Sequence, residues 1–201
     1  MSSLLDLSTT LFLRVNDFAR TSTWLHAPAV AYAKYGLVVF AALLVVGVWR
    51  RRSSGDRELA AALWAGLGTL LAVAVNQPVA ALVAEARPYA AHPSVLVLVD
   101  RSTDWSFPSD HSVMAGAAAM GLFLVSRRLG AVAAVAAVLM AAVRVYVGAH
   151  YPLDVVAGLA LGAVVSALGW LLLRRPLAWL VHHGRSLPVV DRVLAPAAAE
   201  A

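Results

Sequence analysis

The sequence predicts an all-α integral membrane bundle, with about five transmembrane helices and an interfacial helix at its amino end. Of the 201 residues, 61% are hydrophobic and 13% are charged, whereas a soluble domain carries about 25% charged residues. The apolar residues fall in blocks of ~20, which is the length that crosses a bilayer as a helix. A chain of this length predicts a single domain over residues 1–201.

Residues 1–26 are predicted to form the interfacial helix. Leu, Val and Phe side chains recur there at spacings of three and four, with charged residues between them. This amphipathic pattern is typical of a helix that lies in the membrane surface. The segment lacks a basic start followed by a clean apolar run, so no cleavable signal peptide is expected.

Five apolar blocks follow, and each is predicted to be a membrane span. They form a bundle over residues 28–173, followed by a basic cytoplasmic tail at 174–201 whose Ala-rich end is expected to be unstructured. Small residues are frequent in the last three spans, which favours close helix packing in a membrane. The predicted spans are residues 28–49, 59–83, 108–128, 129–148 and 152–173.

Three arginine clusters predict the orientation of the bundle. The clusters at 50–52, 127–128 and 174–175 end the first, third and fifth spans, and basic residues at span ends concentrate on the cytoplasmic side. The polar loop at 84–106 is therefore expected on the extracytoplasmic side. Contact of these clusters with anionic lipid headgroups accounts for the net charge of +5, so nucleic acid is not an expected partner.

Three polar clusters are expected to meet on that extracytoplasmic face. They lie at 85–88, at the end of the second span, at 107–112, at the start of the third, and at 144–154, across the junction of the last two. An arginine inside an apolar block costs about 2.5 to 3.5 kcal/mol on insertion scales. Because Arg87 and Arg144 are expected to converge, they predict a dianionic ligand.

Phosphate suits this arrangement, because arginine binds phosphate oxygens in a bidentate manner. The backbone N–H groups of Ser109, Asp110 and His111 lie at a predicted helix N-terminus, which attracts anions. Ser109 adds a hydroxyl donor, and Asp110 either belongs to this phosphate-binding segment or is only a favourable charge at a helix start. Glu85 either orients an arginine, contacts a second phosphate or is solvated.

Two histidines and one aspartate predict the chemistry. His150 and Asp154 are four residues apart, so a carboxylate can fix the tautomer of the imidazole and raise its basicity. We assign His150 as the nucleophile, Asp154 as the residue that orients it, and His111 as the general acid. The alternative is a buried structural network of Arg144, His150 and Asp154 that binds no ligand.

The three clusters resemble the motifs of the phosphatidic acid phosphatase type 2 superfamily of membrane phosphatases, which also contains the vanadium haloperoxidases. Pro-Ser-Gly/Asp-His is met at 108–111, Arg-x5-His-x3-Asp at 144–154, and Arg-Pro at 87–88. The resemblance implies a phosphohistidine at His150, proton donation by His111, and phosphate contacts from Arg87, Ser109 and Arg144. This sequence departs from the family pattern at Ala80, where the first motif usually has a lysine.

The segments 85–89 and 106–111 resemble a branch of the family, the bacitracin-resistance type of undecaprenyl-diphosphate phosphatase. The branch implies hydrolysis of a polyprenyl diphosphate to the monophosphate at the bacterial plasma membrane. Neither a metal nor a cofactor is expected, because the chain has no cysteine and shows no further metal-ligand spacing. The alternatives are a phosphatase for phosphatidylglycerol phosphate or a prenyl-linked sugar phosphate, and a lipid-phosphate transporter or flippase.

Overall fold

The computed structural model describes residues 2–185, and every regular element in that range is helical. The all-α prediction is confirmed. A short 3₁₀ turn at Thr23–Leu25 joins the first two helices. The helices are α1 (Ser2–Thr21), α2 (His26–Arg51), α3 (Asp56–Val83), α4 (Pro88–Ala91), α5 (Asp110–Val125), α6 (Arg127–Tyr146) and α7 (Pro152–Arg185).

Four segments within the described range are long and apolar enough to cross a membrane. The third predicted span corresponds to α5, which is apolar but has only 16 residues and therefore a length of about 24 Å. It is shorter than the predicted 108–128 because Ser126 is extended, which separates α5 from α6. The four long segments are Thr23–Arg51, Asp56–Ala91, Arg127–Tyr146 and Pro152–Arg185.

The short helix α5 forms the centre of the bundle, where it packs against α2, α3, α6 and α7. The backbones of α5 and α7 approach so closely at two glycines that a side chain there would not fit. A Cβ at Gly116 would lie 2.3 Å from the carbonyl oxygen of Leu159, and one at Gly162 would lie 2.1 Å from that of Val113. Small residues at these positions therefore let two backbones meet and fix the start of α5 beside the start of α7.

Helix α1 is not among the described segments that are long and apolar enough to span a membrane, and one of its faces supports the polar loop that follows α4. The Asn16 side chain exchanges two hydrogen bonds with the backbone of Leu96, at 2.8 and 2.9 Å. Arg20 donates to the carbonyl of Ser94, and Phe12 packs edge-on against Tyr151. The amino-terminal helix thus holds the loop over the junction of α6 and α7.

The arginine-rich ends of the helices meet at one end of the bundle. Arg51 donates to the carbonyl of Val125 at 2.7 Å, and Arg185 donates to that of Ser54 at 2.7 Å. Because α7 continues to Arg185, the helical bundle extends past the predicted limit at 173. The Ala-rich end that was expected to be unstructured falls in 186–201, outside the described residues.

Candidate active site

The three polar clusters lie together at the other end of the bundle. Helix α3 ends there, α5 and α7 begin there, and the turn from α6 to α7 passes between them. The loop at 92–109 closes over this end through backbone hydrogen bonds from Ser106 to Glu85, at 2.8 Å, and from Leu98 to Val147, at 3.0 Å. Residues distant in sequence thereby surround one buried imidazole.

That imidazole belongs to His150, which is 1% exposed in the turn before α7. Its Nδ1 lies 2.9 Å from the carbonyl oxygen of Ser106. Because a carbonyl only accepts hydrogen bonds, Nδ1 must carry the proton, and Nε2 keeps its lone pair. Nε2 lies 3.1 Å from Nη1 of Arg87. The nitrogen with nucleophilic capacity therefore lies beside a guanidinium that can bind an anion.

Asp154 supports this imidazole mainly through Ser106. Its Oδ2 accepts hydrogen bonds from Ser106 Oγ at 2.5 Å and from the Tyr151 N–H at 2.9 Å, and it lies 3.5 Å from His150 Nδ1. The carboxylate therefore fixes both the turn that carries His150 and the serine whose carbonyl orients it. No role was predicted for Ser106, although it is the first residue of the segment 106–111 that resembles the family branch.

Burial also keeps the His150 imidazole neutral. Loss of water contact, with a further contribution from the positive charges of Arg144 and Arg87, lowers its pKa to about 4, although the Asp154 carboxylate opposes the shift. A buried charge is disfavoured unless it is paired. The imidazole can therefore act as a nucleophile at neutral pH without first losing a proton.

Arg87 is held in place by Asp104, a residue that sequence reasoning missed. Its Nη2 and Nε lie 2.9 and 3.0 Å from Asp104 Oδ1, and its Nη1 donates to the carbonyl of Ala149 at 3.1 Å. Although burial alone would raise the pKa of Asp104, the hydrogen bond from Ser102 and the charge of Arg87 hold that pKa below its ordinary value. The ionised carboxylate thus fixes the Arg87 side chain beside His150.

Three buried donors in the polar clusters have no hydrogen-bond partner among the described residues. They are Ser109 Oγ and Ser112 Oγ, both in fully buried residues, and Nε of Arg144, which is 8% exposed. A buried donor without a partner costs about 1–3 kcal/mol. Ser109 immediately precedes α5, whose first N–H groups attract anions. The unpaired donors and this helix end together indicate a site for an anion.

His111 is half-buried on the first turn of α5 and faces an open cavity of about 580 Å³, which we call the cleft. Arg144 lies on the wall of the same cleft. The cleft gives a substrate a route to the general acid that sequence analysis assigned. It is lined by Val30, Ala33, Lys34, Val97, Leu98, Val99, Asp100, His111 and Arg144.

The side chain of Asp110 does not fit the phosphate contact assigned to it from the sequence. Its Oδ1 accepts hydrogen bonds from the amides of Asn76, at 2.7 Å, and Gln77, at 3.1 Å. A carboxylate engaged by two donors would also repel a phosphate. The alternative, a charge at a helix start, describes the geometry better, with the addition that Asp110 ties α5 to α3. Glu85 is half-buried and contributes a backbone hydrogen bond to Ser106.

A family model for the PAP2 superfamily matches residues 61–177. The bacitracin transport permease protein BcrC of Bacillus licheniformis is 31% identical over 83% of this chain and 80% of its own length. The undecaprenyl-diphosphatase BcrC of Bacillus subtilis is 27% identical over 79% and 80%. The decaprenylphosphoryl-5-phosphoribose phosphatase of Mycobacterium tuberculosis is 39% identical over 66% and 69%.

The fold is also similar to that of a solved membrane protein. The crystal structure of the PAP2 type phosphatidylglycerolphosphate phosphatase of Bacillus subtilis superposes with a TM-score of 0.63 at 21% identity, over 84% of this chain and 85% of the other. Together with the matched family model, which spans more than half of the chain, these findings identify the family. The chain therefore belongs to the PAP2 superfamily of membrane phosphatases that its three motifs resemble.

Proposed function

We propose that this protein hydrolyses a lipid-linked diphosphate, specifically undecaprenyl diphosphate, to undecaprenyl phosphate and phosphate through a phosphohistidine at His150. The observation that carries the proposal is the state of His150, whose Nδ1 donates to a carbonyl and whose unprotonated Nε2 accepts a hydrogen bond from Arg87 Nη1. An imidazole held in this tautomer is a nucleophile aimed at whatever anion the arginine binds.

Arg87, Arg144, Ser109 and the first N–H groups of α5 are proposed to bind the terminal phosphate. Arg87 presents Nη1 toward His150 while its other nitrogens hold Asp104. Arg144 and Ser109 contribute donors that lack a partner among the described residues. These groups would neutralise the equatorial oxygens as the phosphoryl group transfers.

The reaction then needs two balanced steps. In the first, a bond forms between His150 Nε2 and the terminal phosphorus, and the bond from phosphorus to the bridging oxygen breaks. Protonated His111 gives its proton to that oxygen, and undecaprenyl phosphate leaves. In the second, His111 takes a proton from water, whose oxygen attacks phosphorus, and the nitrogen–phosphorus bond breaks. Free phosphate is released and both histidines return to their starting states.

Three carboxylates have supporting parts in this proposal. Asp154 fixes the turn and Ser106, and Asp104 fixes Arg87. We assign Asp110 to positioning α5 against α3, because its carboxylate oxygen is taken by two amides. For Glu85 the three alternatives drawn from the sequence stay predictions.

The choice of undecaprenyl diphosphate rests on the relative from Bacillus subtilis that is named an undecaprenyl-diphosphatase and aligns with most of both chains. A second candidate is a prenyl-linked sugar phosphate, favoured by the 39% identity to the mycobacterial phosphoribose phosphatase over a shorter stretch. A transporter is the candidate of a different class, and the name of the Bacillus licheniformis relative raises it. A carrier needs the arginines but has no use for a buried, oriented imidazole.

We also propose that the protein lies in a bacterial plasma membrane with its site on the extracytoplasmic side. The end of α2, the start of α6 and the last part of α7 carry arginines at the end of the bundle away from His150, and such clusters concentrate in the cytoplasm. Residues 1–26 would then lie in the outer interface, the membrane spans would lie within residues 28–173, and the segment from 174, which includes the last part of α7, would be cytoplasmic.

The test is phosphate release by the purified protein in detergent, with EDTA present. The panel contains undecaprenyl diphosphate, a decaprenyl-linked sugar phosphate and phosphatidylglycerol phosphate. We expect the highest kcat/KM with undecaprenyl diphosphate, and no release by His150→Ala. The control is His182→Ala, since His182 is exposed at the other end of the bundle. If the protein binds these lipids but releases phosphate from none of them, a carrier is supported. If another lipid gives the highest kcat/KM, the substrate assignment is overturned.

A further inference from the structure

The chain contains a single lysine, and it lies within a predicted membrane span. Lys34 lies eight residues after His26, the first residue of α2. It is therefore about 12 Å from the start of the helix, measured along its axis. A cation at such a position in a span is costly and marks a functional site by default. None of the motifs described above includes this residue.

Lys34 lines the same cleft as His111 and Arg144. Within residues 2–185 it forms no ion pair with a carboxylate, and its Nζ lies 5.8 Å from the ring centroid of Tyr35. Asp100 is the one acidic side chain among the residues lining the cleft. The cleft is therefore lined by two cations, Lys34 and Arg144, and by one exposed carboxylate, Asp100. This excess of positive charge favours an anionic occupant.

We propose that Lys34 binds the lipid-attached phosphate of a diphosphate substrate and so makes the enzyme select diphosphates over monophosphates. The inference rests on the proposed function above. In that reaction His111 gives its proton to the oxygen of the leaving group, so the leaving group lies on the His111 side of the phosphorus atom. The cleft extends from His111 to Lys34, which is the space that the leaving group would occupy.

The charge of the leaving group determines what Lys34 contributes. When a diphosphate is cleaved, the departing group is a lipid phosphate whose oxygens carry negative charge, and an ammonium beside it stabilises both the bound substrate and the separating charge. When a lipid monophosphate is cleaved, the departing group is an alcohol without that charge. Lys34 therefore matters for the first class of substrate and not for the second.

A simpler role for a lysine in a span is to extend its ammonium to the membrane surface and contact headgroups. That role would affect protein stability or lipid binding equally for every substrate. The two roles are separated by comparing substrates that differ only in the second phosphate, and by comparing two products as inhibitors.

The experiment measures kcat/KM for undecaprenyl diphosphate and for undecaprenyl phosphate, a lipid monophosphate that lacks only the second phosphate, in wild type, Lys34→Met, Lys34→Gln and Lys34→Arg. Because one charged hydrogen bond is lost, kcat/KM for the diphosphate should fall by about 10- to 100-fold in Lys34→Met and Lys34→Gln. The kcat/KM for the monophosphate should change by less than about threefold. Lys34→Arg should retain part of the activity on the diphosphate. Arg14→Gln is the matched control, since it removes an exposed cation from α1 and should change neither value.

Inhibition by the two products gives a second readout. In Lys34→Gln, undecaprenyl phosphate should inhibit less strongly by a similar factor, while inhibition by inorganic phosphate should not change. Equal losses for both substrates, or unchanged inhibition by undecaprenyl phosphate, would overturn the role of Lys34 and leave the proposed function intact. A wild-type protein that releases phosphate from no lipid would instead overturn the proposed function.

Discussion

Arginine occurs at both ends of this bundle, and its surroundings differ between them. At the end where α3 begins, Arg51 and Arg185 donate to backbone carbonyls, and Arg185 also pairs with Asp56 at 3.3 Å. At the other end, Nε of Arg144 is buried without a hydrogen-bond partner among the described residues, and Arg87 turns one nitrogen toward His150. Arg144 differs from the others because its buried Nε meets neither a hydrogen-bond acceptor nor a carboxylate among the described residues, and this difference indicates a ligand site.

The largest effect is expected from the imidazole at the centre of the site. Replacing His150 with Asn removes the nucleophile while keeping a small polar side chain, and kcat should fall by about 10,000-fold or more. The measurement is single-turnover phosphate release from undecaprenyl diphosphate, with thermal unfolding in detergent as a check on folding. Activity within about 100-fold of wild type in a folded variant would contradict the role of His150.

A paired substitution tests the comparison between the two ends directly. Arg144→Met should lower kcat/KM by about 100- to 1,000-fold, the cost of losing one donor to transition-state charge, without lowering the unfolding temperature, because an unpaired buried charge is removed. Arg51→Met should do the reverse, lowering the unfolding temperature because the bond to Val125 is lost while kcat/KM stays near that of wild type. If both variants lose activity and stability alike, the distinction between the two ends fails.

A smaller effect is expected from the serine between His150 and Asp154. Ser106→Ala keeps the carbonyl that accepts from Nδ1 but removes the hydroxyl that donates to Asp154. The turn should become less rigid, so kcat should fall by about tenfold with little change in KM. Ser106→Thr, which restores a hydroxyl, should recover part of the loss. A change confined to KM would argue against a positioning role.

The smallest effect concerns the dependence of stability on pH. Because burial lowers the pKa of His150 to about 4 from an ordinary value of 6.5, the unfolded chain binds a proton here in the pH range where the folded protein does not. Stability should therefore decrease as pH falls from about 6.5 to about 4. Thermal unfolding across this range should show a weaker decrease in His150→Asn than in wild type. An identical decrease in both proteins would indicate that other groups cause it.

Sequence reasoning predicted the helical bundle and the meeting of the three clusters because both depend on local patterns. Long apolar blocks specify spans, and an arginine such as Arg144 inside one is visible without a structure. The parts that it missed depend on how the loop at 92–109 folds back. Asp104 and Ser106 lie in a segment without periodicity, so their contacts with Arg87 and Asp154 could not be read from spacing.

Other differences have equally specific causes. The third span is shorter than predicted because Ser126 adopts an extended backbone inside a continuous apolar stretch. Asp110 was assigned to phosphate because it lies inside a motif, while its partners Asn76 and Gln77 belong to a neighbouring helix. Lys34 is visible in the sequence as a cation inside the first predicted span, but only the packing of α2 brings it to the cleft that His111 and Arg144 line.

The most direct test of the account is to trap the covalent intermediate. The protein is mixed with undecaprenyl diphosphate labelled in its terminal phosphate, quenched in alkali within one turnover, digested and analysed by mass spectrometry. We expect an acid-labile, base-stable label on His150, which is absent from His150→Asn and forms no more slowly than phosphate is released. Turnover without any labelled protein, or label on another residue, would contradict a phosphohistidine at His150.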